Sequence, residues 1–356
     1  MTLQSDYMHF AKFSAEARYG LASSGVMDAD LADLGLQWSD LALKGPNASG
    51  YAPLMACVSE RFGVERSCVV MPGGGASFAN HLALATLVRP GDEVLIEQPS
   101  YELITDTLAY LGARTRRFER RADEAWALDP ARAAAAIGPQ TRLVVLTNLH
   151  NPSSAPADEA AIAAIAESAA GVGARLFIDE TYRELAFTPE APVTGFRADG
   201  TIVVTSSLTK GYGLSGLRCG WILAEPELAE RMRRLNDLYG VHPPHIAERM
   251  AVVAFSRLPA LRARATALIE ENRAAYRAIL GGHPKLEQTI FEAGTTVFPR
   301  LVDGDGDAFF ERLTAKFETS VVPGRFFGLP DHIRIGLGGA PAPTRTGLER
   351  VAAALG

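Results

Sequence analysis

The stretch Ile202-Val-Val-Thr-Ser-Ser-Leu-Thr-Lys-Gly-Tyr-Gly213 joins a run of β-branched residues to a segment of small, polar and glycine residues around Lys210. A short apolar run of this kind is typical of a strand that is buried on both faces of a parallel sheet. The glycines and hydroxyl residues that follow it predict a turn at the carboxyl end of the strand. Because ligands gather at this edge of open parallel sheets, we expect Lys210 to face a binding crevice.

The same order of strand, turn and helix recurs on both sides of this stretch, from about residue 65 to residue 225. Apolar runs that predict strands occur at Cys68–Met71, Glu93–Glu97, Arg142–Asn148, Arg175–Asp179, Ile202–Ser206 and Cys219–Leu223. Stretches with apolar residues at helical spacing occur at Ala76–Leu87, Tyr101–Leu111 and Asp158–Gly171. The alternation predicts an α/β fold with a mainly parallel central sheet and helices on both faces.

The two ends of the chain predict a smaller α+β unit beside this sheet. Helices are expected at Met27–Leu43, Pro244–Leu280 and Thr344–Leu355, and short strands at Thr295–Leu301, Ser320–Pro323 and Ile333–Leu337. The simplest division is a large domain of residues 46–245 and a small domain built from residues 1–45 and 246–356.

Composition excludes several classes of protein. The chain has 356 residues, 47% of them hydrophobic, and a formal net charge of −6 without a basic run. This balance argues against a surface for nucleic acid or an anionic membrane. The apolar runs are too short to span a membrane, and the N-terminus does not resemble a signal peptide. Three widely spaced cysteines predict neither disulfides nor a metal site, and they favour the cytoplasm.

Lys210 and two neighbouring side chains have suitable chemistry for a carbonyl compound that carries a phosphate. A partly desolvated amine can lose its proton near neutral pH and attack an aldehyde. Ser207 can donate a hydrogen bond to a phosphate, and Arg218 can bind one through two parallel hydrogen bonds. The alternative for Lys210 and Arg218 is an ordinary surface position.

Asp179 ends the strand-like run Arg175–Asp179, where a buried carboxylate needs a cation or several donors. Its partner could be a protonated pyridine nitrogen, and the hydroxyl of Tyr182 could reach the same ring. A helix cap or a structural ion pair for Asp179, and a core position for Tyr182, remain open.

Four other segments place polar or aromatic groups at predicted strand ends. The turn Gly73–Ser77 opens a helix whose free N–H groups suit a phosphate, and Phe78 replaces the third glycine of a dinucleotide loop. Tyr101 could lie on a planar ring, although core packing is equally consistent. Asn151 precedes a proline and could form only a turn. Arg334 interrupts an apolar strand and could grip a carboxylate, unless that strand face is solvated.

Taken together in this order, these residues resemble the class I/II aminotransferases, which are fold type I enzymes that use pyridoxal 5′-phosphate (PLP). The resemblance covers the chain from roughly Leu21 to Val351. It implies that Lys210 forms a Schiff base with PLP, that Asp179 holds the ring nitrogen and that Tyr101 stacks on the ring. It further implies hydrogen bonds from Asn151 and Tyr182 to the phenolic oxygen, and a substrate-carboxylate site at Arg334. The implied phosphate site consists of Gly75, Ala76, Ser77, Ser207 and Arg218.

Two departures from the family pattern concern the turn after Asn151 and the subunit interface. Ser153 and Ser154 replace the usual Thr-Gly, which we interpret as a turn variant. Gly45 stands where many relatives have a tyrosine, five residues before Gly50, that reaches the phosphate of the neighbouring subunit. A homodimer is expected from the resemblance, but Gly45 weakens that inference.

Segments Ser23–Val26 and Val321–Gly328 are also similar to a subgroup that includes capreomycidine synthase, whose members act on arginine-derived substrates by elimination and cyclisation. This resemblance implies that the turn at Gly25 closes over the substrate, beside Arg334 and Asn151.

The resemblance implies transfer of an amino group between an α-amino acid and a 2-oxo acid, with Lys210, Asp179 and Tyr101 as catalytic residues. A PLP-dependent lyase, cyclase or oxidase is the alternative, because the same proton removal can precede each outcome. A PLP-sensing DNA-binding regulator is disfavoured, since about 45 residues precede the α/β domain and contain no basic recognition helix.

Overall fold

The computed structural model describes residues 4–48, 50–186 and 194–356. Over these residues the α-helices are α1 (Asp6–Phe13), α2 (Leu31–Leu34), α3 (Ala52–Phe62), α4 (Gly75–Leu87), α5 (Glu102–Tyr110), α6 (Pro130–Ala136), α7 (Glu159–Ala170), α8 (Thr209–Tyr212), α9 (Pro226–Asn236), α10 (His245–Leu280), α11 (Gly306–Phe317) and α12 (Pro341–Leu355).

The strands within the same residues are mostly short. They are β1 (Tyr19–Gly20), β2 (Val69–Val70), β3 (Glu93–Gln98), β4 (Arg114–Glu119), β5 (Thr141–Thr147), β6 (Arg175–Asp179), β7 (Ile202–Ser207), β8 (Gly220–Leu223), β9 (Leu286–Glu287), β10 (Thr296–Val297), β11 (Arg300–Leu301), β12 (Thr319–Ser320), β13 (Val322–Pro323) and β14 (Ile333–Gly336).

Seven strands form the central sheet, in the order β2-β8-β7-β6-β5-β3-β4. Strand β8 runs antiparallel to both of its neighbours, and the other pairs in the sheet are parallel. The prediction of a mainly parallel sheet is therefore confirmed. The carboxyl ends of β5, β6 and β7 lie side by side, because Thr147 pairs with Asp179 and Asp179 pairs with Thr205.

Both faces of this sheet are covered by helices, as the continuous apolar runs predict. Val94 and Ile96 of β3 pack in a cluster with apolar residues of α4, α5 and α9. Leu95, whose side chain points the opposite way, packs in a cluster with residues of α3, α6, α7 and α10. The strand period of two therefore divides one apolar run between two cores.

A further core is built from the later part of the chain. Residues of α11, α12 and β14 pack there with Leu21 and Val26 and with the second half of α10. The first half of α10 instead packs against the central sheet, through Ala251, Ala254 and Leu258. The division into domains at residues 45/46 and 245/246 stays a prediction.

The prediction of a helix over Met27–Leu43 is wrong. Only α2 (Leu31–Leu34) and a 3-10 turn at Trp38–Asp40 are helical there. Gly35 ends α2 in the left-handed conformation, with φ of 61°, which is a common way for a helix to stop. Leu31, Trp38 and Leu43 are mostly exposed, so their apolar spacing does not reflect a buried face.

Several elements were not predicted, among them α1, α3 and β4. Helix α1 precedes the predicted elements, and β4 is an edge strand whose sequence RTRRFE is exposed except at Phe118. Charged side chains are common on edge strands because they oppose pairing with other chains. No helix in the described part of the chain is long and apolar enough to cross a membrane.

Candidate active site

A cavity of about 590 Å³ opens at the carboxyl ends of β6 and β7. Its walls come from α1, from the turn before Gly25, from the start of α4 and from the loop after β7. Among the residues that line it are Tyr7, Ser24, Ala76, Ser77, Tyr101, Thr181, Ser207, Thr209, Lys210 and Arg218.

Lys210 lies in this cavity and is not a surface lysine. Its Nζ donates a hydrogen bond of 3.1 Å to the hydroxyl of Ser24. Burial lowers the pKa of its amine, and the cations Arg334 and Arg218 lower it further, whereas Tyr7 and Asp179 oppose the shift. A lowered pKa favours the neutral amine, which is the nucleophilic form.

Asp179 is buried at the end of β6 and is held by hydrogen bonds. Asn80 Nδ2 donates to Asp179 Oδ2 at 2.7 Å, and the Thr181 backbone N–H donates to Oδ1 at 2.9 Å. Asn80 is itself oriented by the Thr205 hydroxyl, which donates to its Oδ1 at 2.5 Å. Burial raises the pKa of Asp179, and these hydrogen bonds oppose that shift. The hydrogen-bond donors to this carboxylate are thus the neutral groups of Asn80 and Thr181.

The start of α4 and the loop after β7 together form a site with the chemistry of a phosphate cradle. Gly75 N–H donates to the Arg218 carbonyl at 2.7 Å, and Arg218 Nη2 donates to the Gly74 carbonyl at 2.8 Å. A Cβ at Gly75 would lie 2.9 Å from Arg218 Nη2, so the close approach requires glycine. The first-turn N–H groups at Ala76 and Ser77 have no acceptor within the helix and lie at its positive end.

The hydroxyls beside this cradle add further donors. Ser207 lines the cavity at the end of β7, where its Oγ accepts the Thr209 backbone N–H at 3.3 Å. Thr209 Oγ1 is buried and has no hydrogen-bond partner among the described residues. A buried hydroxyl without a partner is rare in proteins and indicates an acceptor that arrives with a ligand.

Tyr101 and Tyr182 present their hydroxyls to different neighbours. The ring of Tyr101 meets that of Tyr7 edge to face, at 5.4 Å between centroids, and its hydroxyl lies 3.7 Å from Met8 Sδ. The hydroxyl of Tyr182 lies 2.7 Å from Ser24 Oγ. Both rings belong to the region around Lys210, and burial raises the pKa of both phenols, which keeps them protonated.

Arg334 is fully buried, so the interpretation of a solvated strand face is wrong. Its Nη2 donates to the Tyr7 hydroxyl at 2.9 Å and to the Ala22 carbonyl at 3.1 Å. Its Nη1 donates to Asn151 Oδ1 at 3.0 Å, and the guanidinium carbon lies 5.1 Å from the centre of the Phe327 ring. Nε has no partner among the described residues. The cation therefore has neutral partners only and retains a free donor for an anion.

Asn151 is brought to Arg334 by the turn after β5. Its backbone N–H donates to the Thr147 hydroxyl at 3.1 Å, and its side-chain oxygen is occupied by Arg334. The side-chain NH₂ group is then the part of Asn151 that can donate to another molecule.

Gly25 packs directly on the lysine. A Cβ at Gly25 would lie 3.1 Å from Lys210 Cδ, and the next N–H, of Val26, donates to the Lys210 carbonyl at 3.0 Å. The turn at residues 23–26 therefore lies beside Lys210, and its closure over the substrate stays a prediction.

Four residues of this region were missed in the sequence: Tyr7, Ser24, Asn80 and Thr209. Asn80 had a detectable signal, since it is a polar residue among the apolar positions of Ala76–Leu87. Thr209 adjoins Lys210, and Ser24 lies in the turn already singled out. Tyr7 had no signal, because its only link to the site is tertiary.

Gly45 has no room for a side chain in this structure. A Cβ there would lie 2.2 Å from His245 Nε2. The ring of His245 is buried, meets the ring of Tyr51 at 4.8 Å between centroids, and has its Nδ1 3.6 Å from Glu248 Oε2. The space beside Gly45 is thus filled by a side chain from the start of α10.

The residues present fit PLP on three observations from this structure. Gly75 allows a close approach to Arg218, the Thr209 hydroxyl lacks a partner among the described residues, and the Asp179 carboxylate accepts hydrogen bonds from Asn80 and Thr181. An amine of lowered pKa lies in the same cavity. Together these groups can bind a phosphate and a cationic ring nitrogen, and the amine can react with an aldehyde.

Comparison with known proteins supports the same cofactor. The sequence profile described as "Aminotransferase class I and II" matches residues 41–355. The capreomycidine synthase of Streptomyces vinaceus is 30% identical over 352 residues, which cover 96% of this chain and 90% of that protein. The arginine–pyruvate transaminase of Pseudomonas aeruginosa is 30% identical over 78% of this chain and 72% of its own.

The fold is shared with a solved structure from Streptococcus suis that is described as a PLP-dependent aminotransferase. The two align with a TM-score of 0.89 and 23% identity, over 100% of this chain and 98% of the other. At 23% identity, this similarity shows a shared fold and no more. The chain described here belongs to the aminotransferase class I and II family and is a PLP-dependent transferase of fold type I.

Proposed function

We propose that this enzyme moves an amino group between an α-amino acid and a 2-oxo acid. The observation that carries the proposal is the fully buried Arg334, which lies behind two cavity-lining residues, Tyr7 and Ala22, and keeps a free donor at Nε. A buried guanidinium without an anionic partner is suited to bind a carboxylate at its free donor. Both substrates of a transamination carry that carboxylate.

Bound PLP supplies an aldehyde and a protonated pyridine ring that accepts the electron pair left when the α-hydrogen of the amino acid is removed. In this proposal Lys210 provides the amine that bonds the aldehyde and, once free, takes the α-proton and returns it. Its lowered pKa suits both tasks, because it increases the fraction of the neutral amine at a given pH. Asp179, oriented by Asn80 and Thr181, accepts the hydrogen bond of the ring nitrogen and stabilises its positive charge.

The remaining cofactor contacts are proposed from the family resemblance, and several of the residues concerned also line the cavity. We assign the phosphate to Gly75, Ala76, Ser77, Ser207 and Arg218, and add the unpartnered hydroxyl of Thr209. Tyr101 would stack on the cofactor ring, and Asn151 and Tyr182 would hold its phenolic oxygen. The substrate would lie next to Gly25, Asn151 and Arg334.

The second candidate is a PLP-dependent lyase or cyclase. It is favoured by the 30% identity to the capreomycidine synthase over 96% of this chain. Removal of the α-proton by Lys210 is common to both reactions. The outcome then depends on whether the substrate carries a leaving group at its β- or γ-carbon.

One experiment separates the two candidates. The PLP-loaded enzyme is incubated with a panel of amino acids that includes arginine, first alone and then with pyruvate, and the products are identified by mass spectrometry. Transamination gives one oxo acid and one alanine for each amino acid consumed, and it depends on pyruvate. Ammonia or a cyclised product formed without pyruvate overturns transamination and supports the second candidate. Lys210→Ala abolishes either reaction, whereas the exposed Lys316→Ala retains it.

We further propose a homodimer in the cytoplasm. Exposed apolar side chains at Tyr110, Leu238, Tyr239 and Val241 support a self-association surface, and three free cysteines support a reducing compartment. Light scattering of the purified protein tests the first point: a monomeric mass at micromolar concentration contradicts it.

A further inference from the structure

Ser24 takes no part in the function proposed above, yet its hydroxyl lies at the centre of the site. Lys210 Nζ donates to Ser24 Oγ at 3.1 Å, and Tyr182 Oη lies 2.7 Å from the same oxygen. The side chain is buried, with a residue exposure of 4%. One buried hydroxyl therefore contacts both the amine of Lys210 and the phenol of Tyr182.

The backbone around Ser24 is held on two sides, so this hydroxyl has little freedom to move. On one side the Val26 N–H donates to the Lys210 carbonyl at 3.0 Å. On the other side the Thr295 hydroxyl donates to the Ser24 carbonyl at 2.6 Å. The turn and the lysine are thus fixed relative to each other by main-chain and side-chain contacts.

Glycines opposite the turn allow this close approach. A Cβ at Gly336 would lie 1.8 Å from the Ser23 carbonyl oxygen, and one at Gly338 would lie 1.9 Å from the Gly25 carbonyl oxygen. Since no side chain fits at either position, the turn packs directly on the backbone of β14 and of the residues that follow it. The position of the Ser24 hydroxyl is set by this packing.

We propose that Ser24 is a positioning residue for Lys210, an inference that rests on the proposed function of the lysine as the proton-transferring base. Its Oγ accepts an N–H of the free amine and fixes the direction of the nitrogen lone pair. Its own O–H remains available to Tyr182 Oη, because a hydroxyl donates once and accepts twice. The contact also stabilises the ammonium form, since a charged donor forms the stronger hydrogen bond.

Several other charged and titratable groups act on the same amine and stay unchanged when Ser24 is altered. They are Tyr7 on α1, Asp179 at the end of β6, Arg218 before β8 and Arg334 on β14, while Tyr182 contacts Ser24 itself. The effect of Ser24 is therefore measured as a difference between variants, not as an absolute titration.

The test compares Ser24→Ala, Ser24→Thr and Ser23→Ala in the full-length protein. Ser23 is a matched control, because its Oγ has only a long 3.4 Å contact, from the Gly25 N–H of its own turn. Each protein is freed of PLP with hydroxylamine, which takes up the aldehyde as an oxime, and is then dialysed and acylated with acetic anhydride over a series of pH values. Mass spectrometry then gives the pH at which the Lys210 amine is half reactive.

We expect Ser24→Ala to lower this midpoint by about one pH unit, because the ammonium loses an acceptor. Ser23→Ala keeps the wild-type midpoint. Ser24→Thr retains a hydroxyl, so its midpoint should lie close to that of the wild type. An unchanged midpoint in Ser24→Ala, with an unchanged melting temperature, overturns the proposal. The same holds if Ser23→Ala shifts the midpoint as much as Ser24→Ala.

A second measurement uses the PLP-loaded enzyme. The rate at which a substrate exchanges its α-hydrogen for deuterium should show the same shift in its pH profile. This arm also separates the two proposals. Suppose that Ser24→Ala shifts the acylation midpoint, but that exchange of the substrate α-hydrogen persists in Lys210→Ala. This result contradicts the proton-transfer role of the lysine and leaves the Ser24 contact established.

Discussion

The hydroxyl of Tyr7 and the guanidinium of Arg334 are joined by a hydrogen bond of 2.9 Å, although 327 positions separate them in the chain. Tyr7 lies on α1, and its ring is packed between Tyr101 and Phe326, at 5.4 and 5.5 Å between centroids. Helix α1 thereby closes one side of the cavity and completes the set of neutral partners around the buried cation.

We expect Tyr7→Phe to raise KM for the amino acid roughly tenfold, because a hydrogen bond to a charged group contributes about 1.5 kcal/mol or more. The change in kcat should be smaller, since the ring and its packing remain. Steady-state kinetics checks the split. Tyr110→Phe is the control, because that side chain is largely exposed. An unchanged KM would show that the Tyr7 hydroxyl does not align Arg334.

Arg334→Lys should lower kcat/KM at least a hundredfold. An ammonium cannot reproduce the planar set of donors that contacts Tyr7, Ala22 and Asn151 and leaves Nε free. The loss should be largest for substrates with an α-carboxylate and small for the same amine without it. Equal losses for both would contradict a carboxylate site. The half-exposed Arg300→Lys serves as the control.

Asn80→Ala should weaken PLP binding about tenfold and lower the free energy of unfolding by about 1–3 kcal/mol, because the buried Asp179 carboxylate loses a donor. Burial already raises the pKa of Asp179, and the lost hydrogen bond raises it further. Fluorescence titration with PLP and urea unfolding measure the two effects. In an Asp179→Asn background the same substitution should have a much smaller effect on PLP binding, and equal effects in both backgrounds would contradict the contact.

Gly45→Ala should destabilise the protein by about 1–3 kcal/mol, because the added Cβ would lie 2.2 Å from His245 Nε2. The cost should largely vanish when His245 is also changed to alanine, which empties the space. Gly282→Ala is the matched control, since a Cβ there meets no atom within 4 Å. Urea unfolding of the four proteins of the cycle gives the coupling energy, and a coupling near zero would exclude the steric explanation.

The docking of α1 should weaken as pH rises. Burial and the neighbouring carboxylates Asp106 and Asp6 raise the pKa of Glu102 to about 7, while the Tyr7 N–H, which donates to it at 3.3 Å, opposes the shift. A carboxyl group with a raised pKa stabilises the folded state in its protonated form. Its contribution is complete below the ordinary value of 4.5 and is lost as pH rises through about 7.

Amide hydrogen exchange of residues 6–13, corrected for the intrinsic rate at each pH, measures this effect. Protection should fall between pH 5 and 8 in the wild type, and Glu102→Gln should show a flatter profile. Protection that increases with pH would mean that the hydrogen bond from Tyr7 outweighs the repulsion among the carboxylates.

The central sheet and the position of Lys210 at its edge could be predicted from the amino-acid sequence. These features are local, since an apolar run followed by a turn predicts both a buried strand and the edge of the sheet to which its last residues belong. This reasoning placed three residues at the sheet edge, because each follows or ends an apolar run: Asp179, Ser207 and Lys210. The glycine turn before α4 could be read for the same reason.

Tertiary structure alone decided which groups these residues meet. Tyr7 reaches Arg334, Asn80 reaches Asp179, and His245 fills the space beside Gly45 through packing between elements far apart in the chain. The failed helix at Met27–Leu43 has the same origin, because helical spacing is stable only where another surface covers its apolar side. The physical reason is that periodicity records which way a side chain points, whereas its partner depends on how whole elements pack.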